Sequence, residues 1–458
     1  EQMDRLFRQS GLFREKWDTR HHASGATYGE ETLAKACELT EDVYAPGGNA
    51  PVYAYKGQYF RAKGDNTYPI TNFIFVPVEM IIAEEETQLT ADLVTVRGET
   101  YRLTFMTTDF ANQQKFKNAL NKRTIALSYT GSDGDLELLK AYVSELDWRT
   151  KIGVKAMGIY EHESGMAFVS SDGAVDADGA AVESIVQLEK YRSIDSAILA
   201  AKLLTASQLQ KLGERLMSYN EPAKTVSILA WISGCFIKEH LRKRNVKFPH
   251  LMLIGEAGSG KSNTLERVIM PVFSRAKIAA AGQTTAFTLM KDAASSNTIP
   301  MALDEFKPSK IDRIHLDALL NHFRNSYDGQ EGVRGRADQS IVSYALLAPL
   351  IVTGEESPDE AAVRERSIEL LFSKKDLKAV ECRAAFRDLC TSGDVLGGLG
   401  HSLLSVALKT KPAECYAWYE DALGSFNKEL PSRIVNNLAC MAAYWNGAAK
   451  GERYAATA

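Results

Sequence analysis

Lys261 and Ser262 stand side by side at the end of GEAGSGKS (residues 255–262), which fits the pattern G-x-x-x-x-G-K-[ST]. The apolar run Leu251, Met252, Leu253 and Ile254 precedes it and reads as a strand; a helical pattern opens at Gly260. Strand, glycine-rich turn and helix start together make a phosphate cradle. The glycines let backbone N–H groups turn toward phosphate oxygens, and the positive end of the helix faces the same anion. The candidate nucleotide-binding residues are therefore Gly255, Glu256, Ala257, Gly258, Ser259, Gly260, Lys261, Ser262 and Asn263. Lys261 would reach the β- and γ-phosphates and Ser262 would ligate Mg²⁺. A glycine-rich turn of purely structural purpose does not need Lys and Ser beside each other.

Three further groups could complete phosphoryl chemistry. IPMALDEF (299–306) is an apolar run ending in Asp304 and Glu305, with Asp304 43 residues after Lys261. Asp304 at a strand end could hold Mg²⁺ through water, and Glu305 could take a proton from the attacking water or orient it. LLAPLIVTGEE (346–356) places Thr353 at another strand end, as a γ-phosphate or water contact or as a hydroxyl satisfying backbone. In AAVRERSIELLF (361–372), Arg364 and Arg366 close a short helix before an apolar strand. One of them, with Arg366 favoured, could stabilise developing charge in a neighbouring subunit; the alternative is a surface ion pair with Glu365 or Glu369. Between these motifs, Gly329, Gly332 and Gly335 alternate with Arg334 and Arg336, a flexible hairpin suited to nucleic-acid phosphates or a mobile loop with incidental charge.

Positioning these groups takes alternating strands and helices, so a mostly parallel sheet is expected around the glycine loop. The expected division is a helical segment at 1–45, a β-rich α+β module at 46–180, the nucleotide domain at 185–375 and a helical region at 376–458. LVTVRGETYRLTF (93–105) reads as two strands around Arg97 and Gly98. SSDGAVDADGAA (170–181) reads as the domain boundary, and Ile194–Leu204 reads as helix. The cluster Lys238, Arg242, Lys243, Arg244 and Lys247 either touches phosphate or is a solvated helix C-terminus favoured by the dipole. His21 and His22 lack partners at ligand spacing.

At 458 residues with a net charge of −4, the chain supports several domains and carries no global basic field. Its six cysteines are scattered, as in a reduced, cytoplasmic protein. The start EQMDRLFRQS is not a signal peptide, and the longest apolar run, Val226–Ile237, is too short to span a bilayer. The chain reads as a piece of a longer protein.

GEAGSGKS, ALDEF, VTGEE and RERSIEL, with the β-rich module before them, resemble the ring-forming helicases of bacterial mobile elements. These are primase-associated ATPases similar to superfamily 3 and minichromosome-maintenance-like helicases of the broad AAA+ class. The resemblance covers roughly residues 60–375. MDRLFRQSGLFREKWD (3–18) resembles the segment that closes primase-polymerase modules of phage and plasmid replication proteins, although no primase carboxylate motif is visible. The resemblance implies a P-loop AAA+ αβα core, ATP and Mg²⁺ as cofactors, and hydrolysis supported by Asp304 and Glu305. It implies Thr353 as γ-phosphate sensor and Arg366 acting in trans. In superfamily 3 the third motif ends in Asn, whereas here the strand ends Thr-Gly-Glu. The implied activity is that of an ATP-dependent, DNA-stimulated helicase. It would be a hexameric homo-oligomer translocating on single-stranded or forked DNA beside a primase module, without a membrane. The alternative is an AAA+ ATPase that loads or remodels a protein on DNA.

Overall fold

A computed structural model describes residues 2–20, 25–39, 51–63, 66–163, 165–335, 341–377, 379–427 and 429–455. His21, His22 and Arg336 lie outside the described residues. The chain divides into two compact units: one runs to Met80 and resumes over Glu86–Arg149, and the other holds Ile81–Glu85 and everything from Thr150.

The first unit begins with α1 (Gln2–Gln9) and α2 (Tyr28–Leu39). Trp17 organises this segment. Its ring stacks on Phe7 at 3.9 Å between centroids, and its indole N–H donates to Asp4 Oδ1 at 2.7 Å. Arg8 bridges Asp4 and Asp18, so both carboxyls titrate below their usual range. Gly29 lies against Trp17 so closely that a Cβ there would sit 2.5 Å from the indole. Thr27 and Glu30 cap the start of α2 reciprocally.

A run of strands follows. β1 (Val52–Tyr55), β2 (Gln58–Lys63) and β3 (Asn66–Pro69) form an antiparallel sheet. β4 (Phe73–Ile82), β5 (Thr87–Thr95) and β6 (Thr100–Met106) lie side by side in another, with the 93–105 hairpin turning at Arg97 and Gly98. α3 (Gln113–Asn121) and α4 (Asp133–Ser144) complete it. The inward faces of the strands carry Phe73, Phe75 and Phe105, which meet Phe110 and Phe116 in one aromatic core.

The second unit contains β7 (Thr150–Val154), β8 (Gly158–His162), β9 (Gly165–Ser170), β10 (Gly173–Asp176) and β11 (Ile185–Gln187). The glycine- and aspartate-rich stretch from 170 is therefore not a boundary. Its Gly173–Asp176 is a strand paired with β9, Ala174 is buried, and the Asp176 carboxylate folds the following turn by accepting from the Asp178 and Ala180 N–H groups. The division falls at Arg149–Thr150 instead. The helix expected over 194–204 is also absent. Only a single turn forms at Ile198–Ala200, because Ser196 Oγ bonds the Phe273 carbonyl and the Ala197 N–H bonds that of Ser274. Those tertiary bonds hold the backbone away from helical pairing.

Beyond α5 (Ala206–Ser218) and α6 (Pro222–Arg242) comes an all-parallel sheet. Its strands are β12 (His250–Gly255), β13 (Ala279–Ala280), β14 (Met301–Phe306), β17 (Leu350–Gly354) and β18 (Ser367–Phe372), in spatial order β13-β14-β17-β12-β18. Continuous apolar runs such as LMLI and LIV suit strands buried on both faces. The intervening helical pieces are α7 (Lys261–Thr264), a π-helical turn (Leu265–Ile269), α8 (Met270–Val272), α9 (Ala286–Ala293), α10 (Arg313–Asp328) and α11 (Ala361–Arg364). β15 (Glu331–Gly335) and β16 (Ile341–Ala345) form a separate antiparallel hairpin. The chain ends in α12 (Val380–Cys390), α13 (Gly393–Lys409), α14 (Pro412–Ser425) and α15 (Ser432–Ala455). These helices do not make a separate core: Leu403, Cys440 and Tyr444 belong to the same buried cluster as Leu253 and Ile254.

Candidate nucleotide site

β12 lies between β17 and β18 in the parallel sheet and delivers Gly255 to its C-terminal edge. A Cβ on Gly255 would sit 2.1 Å from the Phe372 carbonyl oxygen, so only glycine allows the neighbouring strand to approach here. Gly260, at φ +91°, turns the chain into α7. Lys261 is 7% exposed, and its Nζ donates to the Glu256 carbonyl at 2.9 Å across the loop. Burial lowers its pKa, while the carboxylates of Glu355, Asp304 and Glu256 oppose that shift and hold the cation in place. Glu256 in turn accepts from the Lys374 N–H, which ties the loop to the segment after β18.

Asp304 Oδ1 gathers three donors at the next edge position. Ser262 Oγ reaches it at 3.1 Å, the Glu305 N–H at 2.7 Å, and the fully buried Thr353 hydroxyl also donates to it. The topology explains this convergence. β17 lies between β14 and β12, and parallel strands present their C-terminal ends on one edge. Glu305 is exposed at φ +60° where β14 departs from ladder register between Leu303 and Phe306. That backbone region costs a non-glycine residue roughly 1–3 kcal/mol. Strain at an exposed glutamate beside a shared carboxylate is a feature of sites that must aim a side chain. Among the described residues, no three His, Cys, Asp or Glu side chains converge on a metal position. Ser262 and Asp304 offer oxygen ligands of the kind a largely hydrated Mg²⁺ takes.

Behind Gly260 opens a cavity of about 490 Å³ whose walls include Tyr219, Thr264, Arg383, Phe386 and Arg387. Sequence reasoning missed these residues, although Arg383, Phe386 and Arg387 share one face of α12 at helical spacing.

The two arginines differ sharply. Arg366 is 13% exposed; Nη2 meets Asp328 Oδ2 at 2.8 Å, Nη1 donates to the Ala362 carbonyl at 2.8 Å, and the guanidinium lies 5.6 Å over the Tyr327 ring. Arg364 is exposed; its N–H donates to the Glu360 carbonyl, but its side chain has no hydrogen bond or ion pair among the described residues. Arg334 sits on the β15–β16 hairpin opposite Val342, away from the parallel sheet.

Fold and site together define an open parallel α/β protein with a glycine loop after an interior strand and an acidic strand end two strands away. Residues 1–46 match the family model described as the NrS-1 polymerase HBD domain. Over 46 residues the chain is 54% identical to the DNA primase-polymerase of Nitratiruptor phage NrS-1, a match covering 10% of this chain and 6% of that relative's length. Among solved structures, the SCCmec type IV Cch active helicase aligns with 90% of this chain and 75% of its own, at a TM-score of 0.51 and 13% identity. That likeness is one of fold. No helix among the described residues is long and apolar enough to cross a membrane.

Proposed function

We propose that the chain is the ATP-driven motor of a DNA helicase of the P-loop AAA+ class, acting as a head-to-tail, six-membered ring beside a primase module. The observation that carries this reading is the shared acceptor Asp304, bonded by Ser262 and Thr353 beside the Lys261 loop. ATP binds with its phosphates along Gly255–Ser262 and its base in the cavity by Phe386. Lys261 holds the β- and γ-phosphates, and Glu305 accepts the proton of the water attacking the γ-phosphorus. Mg²⁺ held by Ser262 and Asp304 supplies charge neutralisation at the phosphates. Thr353 acts by fixing Asp304. Arg364 is the arginine offered to the neighbouring subunit's nucleotide, because Arg366 is held within its own chain. Arg334 and Arg336 grip single-stranded DNA in the ring. The primase-polymerase match of residues 1–46 and the helicase likeness of the fold both support a role in mobile-element replication.

The test is ATP turnover with and without single-stranded DNA, alongside strand displacement on a forked duplex. Lys261→Ala is expected to abolish turnover, and turnover at the wild-type rate would sink the nucleotide assignment. DNA-stimulated turnover without unwinding would favour a loader that remodels a protein on DNA.

A further inference from the structure

The opposite edge of the sheet carries a second site. β12 begins at His250, whose N–H bonds the Arg366 carbonyl at 3.0 Å, so Arg366 and Asp328 lie at the strand's N-terminal end. The glycine loop lies at its other end, roughly 17 Å away along a six-residue strand. At this N-terminal edge, the turn between α6 and β12 faces α14 and α15 across a cleft of about 630 Å³.

The five cations expected to act together at the end of α6 separate in space. Lys238 is buried against the Leu347 carbonyl, and burial pulls its pKa down to about 8. Arg242 pairs with Glu239, and Lys243 with Glu161. Only Arg244 and Lys247 enter the cleft, where α15 adds Arg433. Lys247 is tied to Asp328, which Arg366 shares, and Arg433 is tied to Glu365. Three cations and one carboxylate, Glu365, thus line the cleft, with the Arg366–Asp328 pair outside its lining, and none of the described carboxylates pairs with Arg244. Its guanidinium instead lies 5.9 Å over the ring of half-buried Tyr416, which is tilted against Tyr419 at 5.9 Å. Asn245 holds this turn at φ +60°. Tyr419 is locked by donating to Asn436 at 3.0 Å, so the aromatic wall is rigid.

We propose that this cleft binds single-stranded nucleic acid, with phosphates on Arg244 and Arg433 and a base stacked beside Tyr416. Surplus positive charge beside fixed aromatic faces is the combination that holds a single strand without reading its sequence. Lys247 and Arg433 are each engaged by a carboxylate, so the cleft offers no chelate for a compact polyphosphate. It offers Arg244, plus cations that can share a passing backbone. A strand held here would lie beside Glu365, the residue after Arg364, and its occupancy would bear on the segment that reaches the neighbouring subunit. The site uses the nucleic-acid partner of the reading above but none of its nucleotide chemistry.

The test uses the full chain and a fluorescein-labelled oligothymidylate read by anisotropy over a series of KCl concentrations, with DNA-free ATP turnover and sedimentation measured in parallel. Tyr416→Ala is expected to weaken binding about tenfold, with Tyr416→Phe retaining it. Arg244→Glu, at an exposed position where folding is not at stake, is expected to weaken binding and reduce the log–log salt slope by about 0.7. DNA-free turnover should stay unchanged in all three. Wild-type affinity and slope in Arg244→Glu, or no oligonucleotide binding by the unaltered chain, would overturn the site whether or not ATP is turned over. Loss of assembly together with binding would also overturn it, by showing that a second copy of the chain covers the cleft. Loss of turnover by Lys261→Ala has no bearing on the site, so the two readings fail separately.

Discussion

Replacing Arg364 and Arg366 separately by alanine separates a residue that acts across an interface from one that holds its own chain together. Arg366 makes a charged hydrogen bond to Asp328, a bond to the Ala362 carbonyl and a contact over Tyr327. A hydrogen bond to a charged partner contributes about 1.5–3 kcal/mol, and the ring contact about 0.5–1 kcal/mol. Asp328 keeps Lys247 after the change, so no carboxylate is orphaned. The expected loss for Arg366→Ala is therefore about 2–4 kcal/mol, a drop of several degrees in the melting midpoint. Arg364 has none of these contacts, and Arg364→Ala should move stability by no more than about 0.5 kcal/mol. Its effect belongs in turnover, where a trans arginine supplies about a thousandfold or more. The decisive assay mixes Arg364→Ala with Lys261→Ala. Each is inactive alone, but an interface pairing intact Lys261 of one subunit with intact Arg364 of the next should recover part of the turnover. Normal ATP turnover by Arg364→Ala alone at assembling concentrations would refute the trans role of Arg364. Loss of turnover by Arg366→Ala with an unchanged melting midpoint would refute it equally.

Glu305→Gln should leave ATP bound but unhydrolysed, because the amide keeps the shape of the side chain and removes its proton acceptor; equilibrium binding with single-turnover hydrolysis checks this, and hydrolysis at the normal rate removes Glu305 from its role. Stability should also fall as pH drops from about 6.5 to 4, on account of two buried histidines. Burial takes both His250 and His322 down to about 4, so the unfolded chain binds protons in that window and the folded chain does not. Each contributes stability in full above about pH 6.5 and loses roughly 3 kcal/mol across the window. Melting midpoints between pH 7 and 4.5 test the sign, and His322→Leu should flatten the curve, since His322 Nε2 has no partner among the described residues to forfeit. A flat midpoint in the unaltered chain contradicts the assignment.

What was legible in the sequence is what the chain writes locally. The glycine loop is contiguous, and its strand and helix start flank it directly, so Lys261 and Ser262 stand out. Asp304 and Glu305 stand out because an apolar run ends in paired acids. The convergence of Ser262 and Thr353 on one carboxylate oxygen is different in kind, since strand order decides it, and no period in the sequence encodes strand order. Glu305 gives no sign of its left-handed backbone, because glutamate does not favour that region and the ladder irregularity of β14 imposes it. The preference for Arg366 over Arg364 was read without Asp328, which lies 38 residues earlier on α10 and bonds Arg366. The helix read over 194–204 yielded to bonds from the 273–274 turn, which a window of neighbouring residues cannot contain.

The same strand order that assembles one site also divides the labour between two edges. Because β14, β17, β12 and β18 run parallel, residues at their C-terminal ends meet around the glycine loop, and residues entering β12 and β18 meet at the other edge. Arg364 belongs to the second group, since α11 leads directly into β18. An arginine at one edge cannot serve a nucleotide at the opposite edge of its own sheet, roughly a strand length away. On the proposed reading it must serve the next copy, whose own arginine serves another in turn. An interface that joins different edges of successive copies is heterologous, and such interfaces close into rings when the rotation permits. The arginine edge is also the edge of the Arg244–Tyr416 cleft, so a strand bound there would lie against the same α11–β18 junction that answers to the neighbouring nucleotide. Coupling between DNA and ATP would then require only a shift of that short junction, with Arg366 and Asp328 as the fixed point about which it moves.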